Sequence, residues 1–287
     1  MIKCFFVSDI HGKIDRYERL FNEIEKERPD IVFLGGDLLP SIAALNELSD
    51  IRSKDFVNEY LVKKFLDLKA NIGDDYPEVY LIMGNDDPRS EEISFLEAEN
   101  LGIWTYVHNR KINYKEYQIY GYACIPPSPF LLKDWERYDI SRFVDVGCVS
   151  PTEGYRTYPV SEDEKKYSTI KNDLEKLTAE KDLSNSIFLF HAPPYQTNLD
   201  RAALDGQMID HAPVDLHVGS IAIKRFIEIK QPFITLHGHI HESSSITGSW
   251  KQKIRKTHLF SAAFNKPDLA IVKFDMNNLS GAIRVLL

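Results

Sequence analysis

The chain predicts an α/β fold with a mainly parallel sheet, and three observations carry that prediction. Short apolar runs rich in β-branched and aromatic residues alternate with stretches of helical spacing through the first third. Such alternation argues for βαβ units. The runs end on small polar clusters, where ligands collect in sheets of this kind. A strand-rich tail closes the chain.

The elements follow in order. Ile2 to Ser8 reads as a buried strand. Ile14, Tyr17, Leu20, Phe21 and Ile24 have helical spacing, and Pro29 stops that helix. Ile31 to Leu34 is a second strand, broken at Gly35-Gly36. A polar stretch from Ser41 to Lys54 precedes a helix bearing Val57, Leu61, Phe65 and Leu68. Val79 to Met83 is a third strand, stopped by Gly84-Asn85. Lys111 to Tyr114 and Tyr117 to Tyr122 read as a hairpin around Lys115-Glu116, without the usual Asn-Gly signal. Pro126 to Pro159 is irregular, rich in proline, aromatics and charge. A loop of that length is functional or carries short elements of its own. Ser161-Glu162-Asp163-Glu164 matches a capping box and opens a helix reaching to near Lys181. Ile187 to Phe190 is a strand leading into His191. Val218 to Ile229 is a helix, and Phe233 to Leu236 a strand leading into Gly238. Thr257 to Phe260, Leu269 to Phe274 and Ala282 to Leu287 read as strands, with a turn at Asn277-Asn278. No repeat, low-complexity tract or linker interrupts the sequence, so one domain over residues 1–287 is expected, with an insertion at about 126–160.

Composition narrows the function. Hydrophobic residues make up 43% and charged residues 27% of 287 residues, the globular range with room for a sizeable core. The net charge of -8 and pI of 5.6 weigh against a broad surface for long nucleic acid. Cys4, Cys124 and Cys148 have no CxxC spacing, which fits free thiols in a reducing compartment. No signal-peptide pattern and no membrane-length apolar run are present, so a cytoplasmic protein without membrane contact is expected.

The polar clusters carry the chemistry. They are Asp9-Ile10-His11-Gly12, Gly35-Gly36-Asp37, Gly84-Asn85-Asp86-Asp87, His191-Ala192-Pro193-Pro194 and Gly238-His239-Ile240-His241, with Gly219-Ser220 upstream of the last. Each has an ordinary reading. Asp9, Asp37 and Asn85 suit turns, His191 suits a core, and His239 with His241 is a partial metal motif. Together Asp9, His11, Asp37, Asn85, His191, His239 and His241 are the hard and borderline donors that a pair of divalent metals needs.

This ordered series resembles the calcineurin-like metallophosphoesterase family, whose pattern is Asp-x-His, Gly-Asp, Gly-Asn-His-Asp/Glu, His, then Gly-His-x-His. The match runs from Asp9 to His241, over four fifths of the chain. The resemblance implies a two-sheet β-sandwich core flanked by helices, in four α/β/β/α layers. It implies two divalent transition ions drawn from manganese, iron, zinc, cobalt and nickel. Asp9, His11 and His241 would hold one ion, Asn85, His191 and His239 the other, and Asp37 would bridge. A hydroxide shared by the ions would attack phosphorus in line with the leaving oxygen. Asp37, Asn85, Asp86 and His191 are the catalytic candidates. One departure stands out: the family's histidine after Gly-Asn is Asp86 here. An ordinary aspartate is ionised at pH 7 and donates no proton; only burial or a neighbouring carboxylate would raise it enough. Asp87 matches the acidic residue that follows and would orient a ligand from behind.

The expected activity is a phosphodiesterase acting on a small or nucleotide-like substrate. A nuclease or phosphomonoesterase of the same superfamily is the alternative, and a metal-binding scaffold a distant one. Secondary sites each carry two readings. The helix start at His217, Gly219 and Ser220 faces a phosphate or is simply capped. Asp205, Asp210 and His211, in the loop from Pro193 to Leu216, line the site or are solvated. Arg137, Arg142 and Arg156 read a substrate or are surface residues with buried stems. Lys251, Lys253, Arg255 and Lys256 form a basic patch that a nuclease would use. His108 and His258 are taken as structural. The insertion is expected to wall the metal site, or else to contact another copy.

Overall fold

The computed structural model describes residues 1–41, 55–179 and 182–287. The polar stretch preceding Lys54 and the expected helix end at Lys181 lie outside the described residues. The first half alternates strictly. It holds β1 (Lys3–Val7), α1 (Ile14–Glu27), β2 (Ile31–Gly35), a π-helical stretch Val57–Val62 continuing as α2 (Lys63–Ile72), β3 (Glu78–Ile82), α3 (Glu92–Glu99) and β4 (Thr105–Tyr106). The hairpin β5 (Lys111–Tyr114) and β6 (Tyr117–Tyr122) follows, then the insertion, α4 (Glu162–Tyr167), α5 (Ile170–Leu177) and β7 (Ser186–Phe190). A two-residue pair, β8 (Met208–Ile209) and β9 (Ala212–Pro213), precedes α6 (Ile221–Lys230), β10 (Ile234–His237) and α7 (Ser243–Thr247). The tail is β11 (Lys251–Ile254), β12 (Thr257–Ser261), β13 (Ala270–Asp275) and β14 (Asn278–Leu286).

The strands form two six-stranded mixed sheets flanked by helices. The first runs β14-β13-β1-β2-β3-β4, and the second β11-β12-β10-β7-β6-β5. In each sheet a run of four neighbouring strands is parallel, β1 to β4 in one and β12, β10, β7 and β6 in the other. The remaining pairings are antiparallel, β13 with β1 and β14, β11 with β12 and β5 with β6, so each sheet is mixed around a parallel run of four strands. β2 is apolar throughout, and β1 and β7 are apolar after their first residues, because both faces are covered. The sheets touch closely: a side chain at Gly121 would come within 2.6 Å of Val107 and 2.8 Å of Ile82. Phe21, Phe65 and Trp104 pack edge-to-face under the helices of the first sheet, and Phe226 of α6 packs edge-to-face on Phe188 of the second. Among the described residues, no helix is long and apolar enough to cross a membrane.

Three expectations change. The helix opened by Ser161 is two helices. Ser161 caps the first through the Glu164 amide, but Thr169 is extended, bridges Tyr138 and caps the second through the Asn172 amide. The helix expected from Val218 starts at Ile221, because Gly219 is packed against Pro193 and Asp200 and Ser220 is the cap. The basic patch belongs to edge strand β11 and its turn, where Lys251 and Lys253 face solvent, as lysines that guard an edge do.

The insertion remains irregular, yet it is pinned from within. Lys133 and Glu136 are fully buried and paired at 2.7 Å. Asp134 accepts the Arg89 amide at 2.8 Å, and Trp135 donates to the Asp87 carbonyl at 2.9 Å. The insertion is thereby fastened to the segment that follows β3. Its arginines are engaged: Arg137 is buried against Glu164, Arg142 lies over Tyr138 and Tyr167, and Arg156 donates to the Pro151 carbonyl.

Candidate metal centre

The site is built at the carboxyl ends of parallel strands, where the chain must turn sharply. β1 ends before Asp9, β2 before Asp37, β3 before Asn85, β7 before His191 and β10 before His239 and His241. Asp9, His11, Asp37 and His239 all have left-handed backbones, with φ of 56°, 53°, 53° and 74°. Side-chain-bearing residues visit that region rarely, and such positions concentrate at functional sites. The local conformation is held by its neighbours. Arg16 of α1 donates to the Asp9 carbonyl at 2.7 Å, and the Asp9 and His11 amides donate to the Gly36 and Asp37 carbonyls at 2.9 and 2.8 Å.

Side chains from both sheets converge there. Asp9, His11, Asp37 and His241 offer ligand atoms within 4.8 Å of one another, and so do Asp37, His191 and His239. Asp37 belongs to both groups. Asn85 Oδ1 lies 3.0 Å from His191 Nε2, which is 3.3 Å from Asp37 Oδ2. His191 Nδ1 lies 2.8 Å from the Gly35 carbonyl; donating there fixes the tautomer and leaves Nε2 toward the site. His241 Nε2 is 3.2 Å from Asp9 Oδ1 and 3.1 Å from His11 Nε2. Gly84 lets this happen: a side chain there would sit 2.3 Å from Asp37 Oδ1.

Charge follows geometry. Burial alone would raise Asp37, but the His191 and His11 imidazoles hold it down to about 2. Burial opposes a proton on His191, yet the Asp37 and Asp9 carboxylates outweigh it and lift the ring to about 10. Burial, aided by His191, takes His239 down to about 3. The buried Asp9 and Asp37 carboxylates thus favour positive charge at the centre. The donor set of carboxylates, imidazoles and an amide fits divalent transition metals.

The departure at Asp86 has a specific setting. Burial first, and then the Asp37 carboxylate, push Asp86 up to about 7, away from the ordinary value expected for an exposed aspartate. It accepts from Asn85 Nδ2 at 3.0 Å and lies 3.5 Å from His11 Nδ1. Asp87 is fully buried and accepts the Leu38, Leu39 and Gly84 amides at 3.1, 2.7 and 2.9 Å. It ties the Asp37 loop to the Asn85 loop.

A family model described as calcineurin-like phosphoesterase matches residues 2–243. The chain belongs to this family. It is a metal-dependent phosphoester hydrolase. An uncharacterized protein of Methanocaldococcus jannaschii is 26% identical over 247 residues, covering 85% of this chain and 83% of its own. The fold is similar to that of TT1561 of Thermus thermophilus, with TM-score 0.59, 14% identity, and 99% and 98% of the two chains covered. It is also similar to a dimetal phosphatase from Danio rerio, with TM-score 0.54, 12% identity, and 95% and 91% covered.

None of the secondary candidates belongs to the ligand groups of this phosphoesterase centre. The α6 start is filled from within: Ser220 Oγ accepts the Ile223 amide, and Asp139 of the insertion accepts the Ile221 amide at 2.7 Å. That end is capped, not open to phosphate. Asp205 pairs with Arg201, while Asp210 and His211 form the exposed turn between β8 and β9. His237, next to the ligands, is a core residue whose ring contacts the Ala192 carbonyl and Thr235 hydroxyl. His108 is likewise buried, bonded to the Ala123 amide. Arg255 and Lys256 sit at the start of β12, the opposite end of the sheet from the ligands. Arg16 and Asp200 are the residues that the sequence did not single out. Asp200 is fully buried and gathers the amides of Gln196, Thr197 and Gly219. A lone acid closing the uncharged run from Pro193 to Leu199 was the signal available for it.

Proposed function

We propose that the protein is a dinuclear phosphodiesterase for a small or nucleotide-like substrate. Asp9, His11, Asp37 and His241 hold one cation, and Asp37, Asn85, His191 and His239 the other. When bound, such cations activate water and neutralise phosphoryl charge. The protein's own groups prepare the site. The Gly35 carbonyl keeps His191 in the ligand tautomer. Asp86 takes one amide hydrogen of Asn85 and so turns Oδ1 inward, toward His191. Asp87 fixes the spacing of the loops that carry Asp37 and Asn85.

The observation that carries the diester reading is a carboxylate at position 86, on the Asp37 rim, where the family pattern has histidine. Above about pH 7, where Asp86 is ionised, the second negative charge there opposes a dianionic monoester more than a monoanionic diester. With manganese-loaded protein, bis-p-nitrophenyl phosphate should be hydrolysed faster than p-nitrophenyl phosphate, and Asp86→Asn should narrow the gap. A wild type that prefers the monoester overturns this reading. Elemental analysis should give two ions per chain, and Asp37→Ala should lose metal and activity together.

A further inference from the structure

We propose that His217, held by Asp200, is the proton donor to the leaving group, in place of the histidine that position 86 lacks. The assignment rests on the dinuclear site above. His217 Nδ1 lies 2.8 Å from Asp200 Oδ1, with Asp200 fully buried and the ring 32% exposed. Asp200 already accepts three backbone amides, so its charge is satisfied without the ring. The bond to Nδ1 therefore orients His217 and leaves Nε2 as the outward nitrogen.

The segment bearing His217 is joined directly to the residues that follow His191. The Ser220 amide donates to the Pro193 carbonyl at 2.9 Å, and the Tyr195 amide to the Ser220 carbonyl at 3.0 Å. The join admits no side chain at Gly219, where a Cβ would lie 2.7 Å from the Pro193 carbonyl oxygen and 2.8 Å from Asp200 Cβ. Asp215 completes the frame, accepting the His217 amide at 2.9 Å and the Tyr195 hydroxyl at 2.6 Å. His217 also pairs with Arg201, and the Ala203 amide donates to Glu242, next to His241, at 3.0 Å, so the frame that carries the imidazole is fastened to the segments following both His191 and His241. A carboxylate-oriented histidine is a common general acid.

In the step, water supplies the hydroxyl that bonds to phosphorus. The bond from phosphorus to the leaving oxygen breaks, and its electron pair stays on that oxygen. The oxygen takes the Nε2 proton, and the proton released by water restores the imidazolium. Asp200 is the positioning residue.

The test is a series of phosphate diesters whose leaving groups run from p-nitrophenol through phenol to alkyl alcohols, hydrolysed by the manganese-loaded protein. For His217→Asn, kcat on alkyl esters should fall roughly 100-fold while p-nitrophenyl esters lose less than about 3-fold, because only poor leaving groups need the proton. Asp200→Asn should shift the same dependence in the same direction. Metal content and thermal unfolding of His217→Asn should match wild type, since the ring is partly exposed and holds no ion. An equal loss across the series, or no loss, overturns the role of His217. A wild type that binds two ions yet cleaves no diester overturns the diesterase reading instead.

Discussion

Gly84 shows how narrow the tolerances at the metal centre are. A methyl group there would lie 2.3 Å from Asp37 Oδ1 and 2.7 Å from the His191 ring. Gly84→Ala must displace one or the other, and metal affinity should fall about 10-fold or more, the scale of losses when ligand support is disturbed. Titration of the apoprotein with manganese measures this; full affinity in the variant would mean that Asp37 is not where the ion binds. The candidate ligands are legible in the sequence because each belongs to a short cluster at a strand end that contains a glycine or a proline. The work of Asp87 is only half legible. Its role behind a ligand is expected, but its partners Leu38 and Leu39 are 49 and 48 residues away, and no local pattern connects them. Arg16 is hidden for the same reason. It reads as a polar residue between apolar helix positions, yet it is buried and holds the Asp9 carbonyl.

Elements differ in how well they can be read. The strands of the first half are buried on both faces, so their apolar runs are unmistakable. β11 escapes sequence reading because its alternating lysines look like a charge patch until β12 is placed beside it. The split at Ser168 and Thr169 escapes it because the capping signal at Ser161 is genuine and the break is imposed by Tyr138 from the insertion. The start of α6 is a further case of tertiary capping. Asp139 accepts the Ser220 hydroxyl and the first amides of the helix, although it is 81 residues away from Ser220. Asp139→Ala should lower stability by about 1–2 kcal/mol in urea unfolding, the scale of a lost cap. Metal content should stay unchanged, since no ligand lies on α6. Loss of metal with unchanged stability would show that the insertion acts on the centre rather than on the helix.

At the scale of the molecule, buried histidines tie stability to pH. Burial, opposed by its bond to the Ala192 carbonyl, takes His237 down to about 4. Burial, with Arg89 and Arg137, takes His108 down to about 3. Unfolded, these rings gain protons below about pH 6.5. Folded, they remain neutral, so the unfolded chain binds more protons between about pH 6.5 and 4. Stability present above that window is therefore lost as pH falls through it, by on the order of 3 kcal/mol for His237. Urea unfolding of wild type and His237→Asn, both with chelator, isolates the effect. The advantage of wild type should shrink toward about pH 4, and a constant difference would show that His237 is already protonated in the fold.

The candidate ligands also divide between the sheets. Asp9, His11, Asp37 and Asn85 follow strands of one sheet, while His191, His239 and His241 follow strands of the other. In the proposed site, a cation bound by both sets would clasp the seam of the sandwich. It resists shear between the layers in a way that apolar contact, which slides without direction, does not. Loading the centre should raise the melting temperature in proportion to the logarithm of free metal. Amide exchange should slow most at the ends of β1, β2, β7 and β10, and little in β14 and β5 at the far edges.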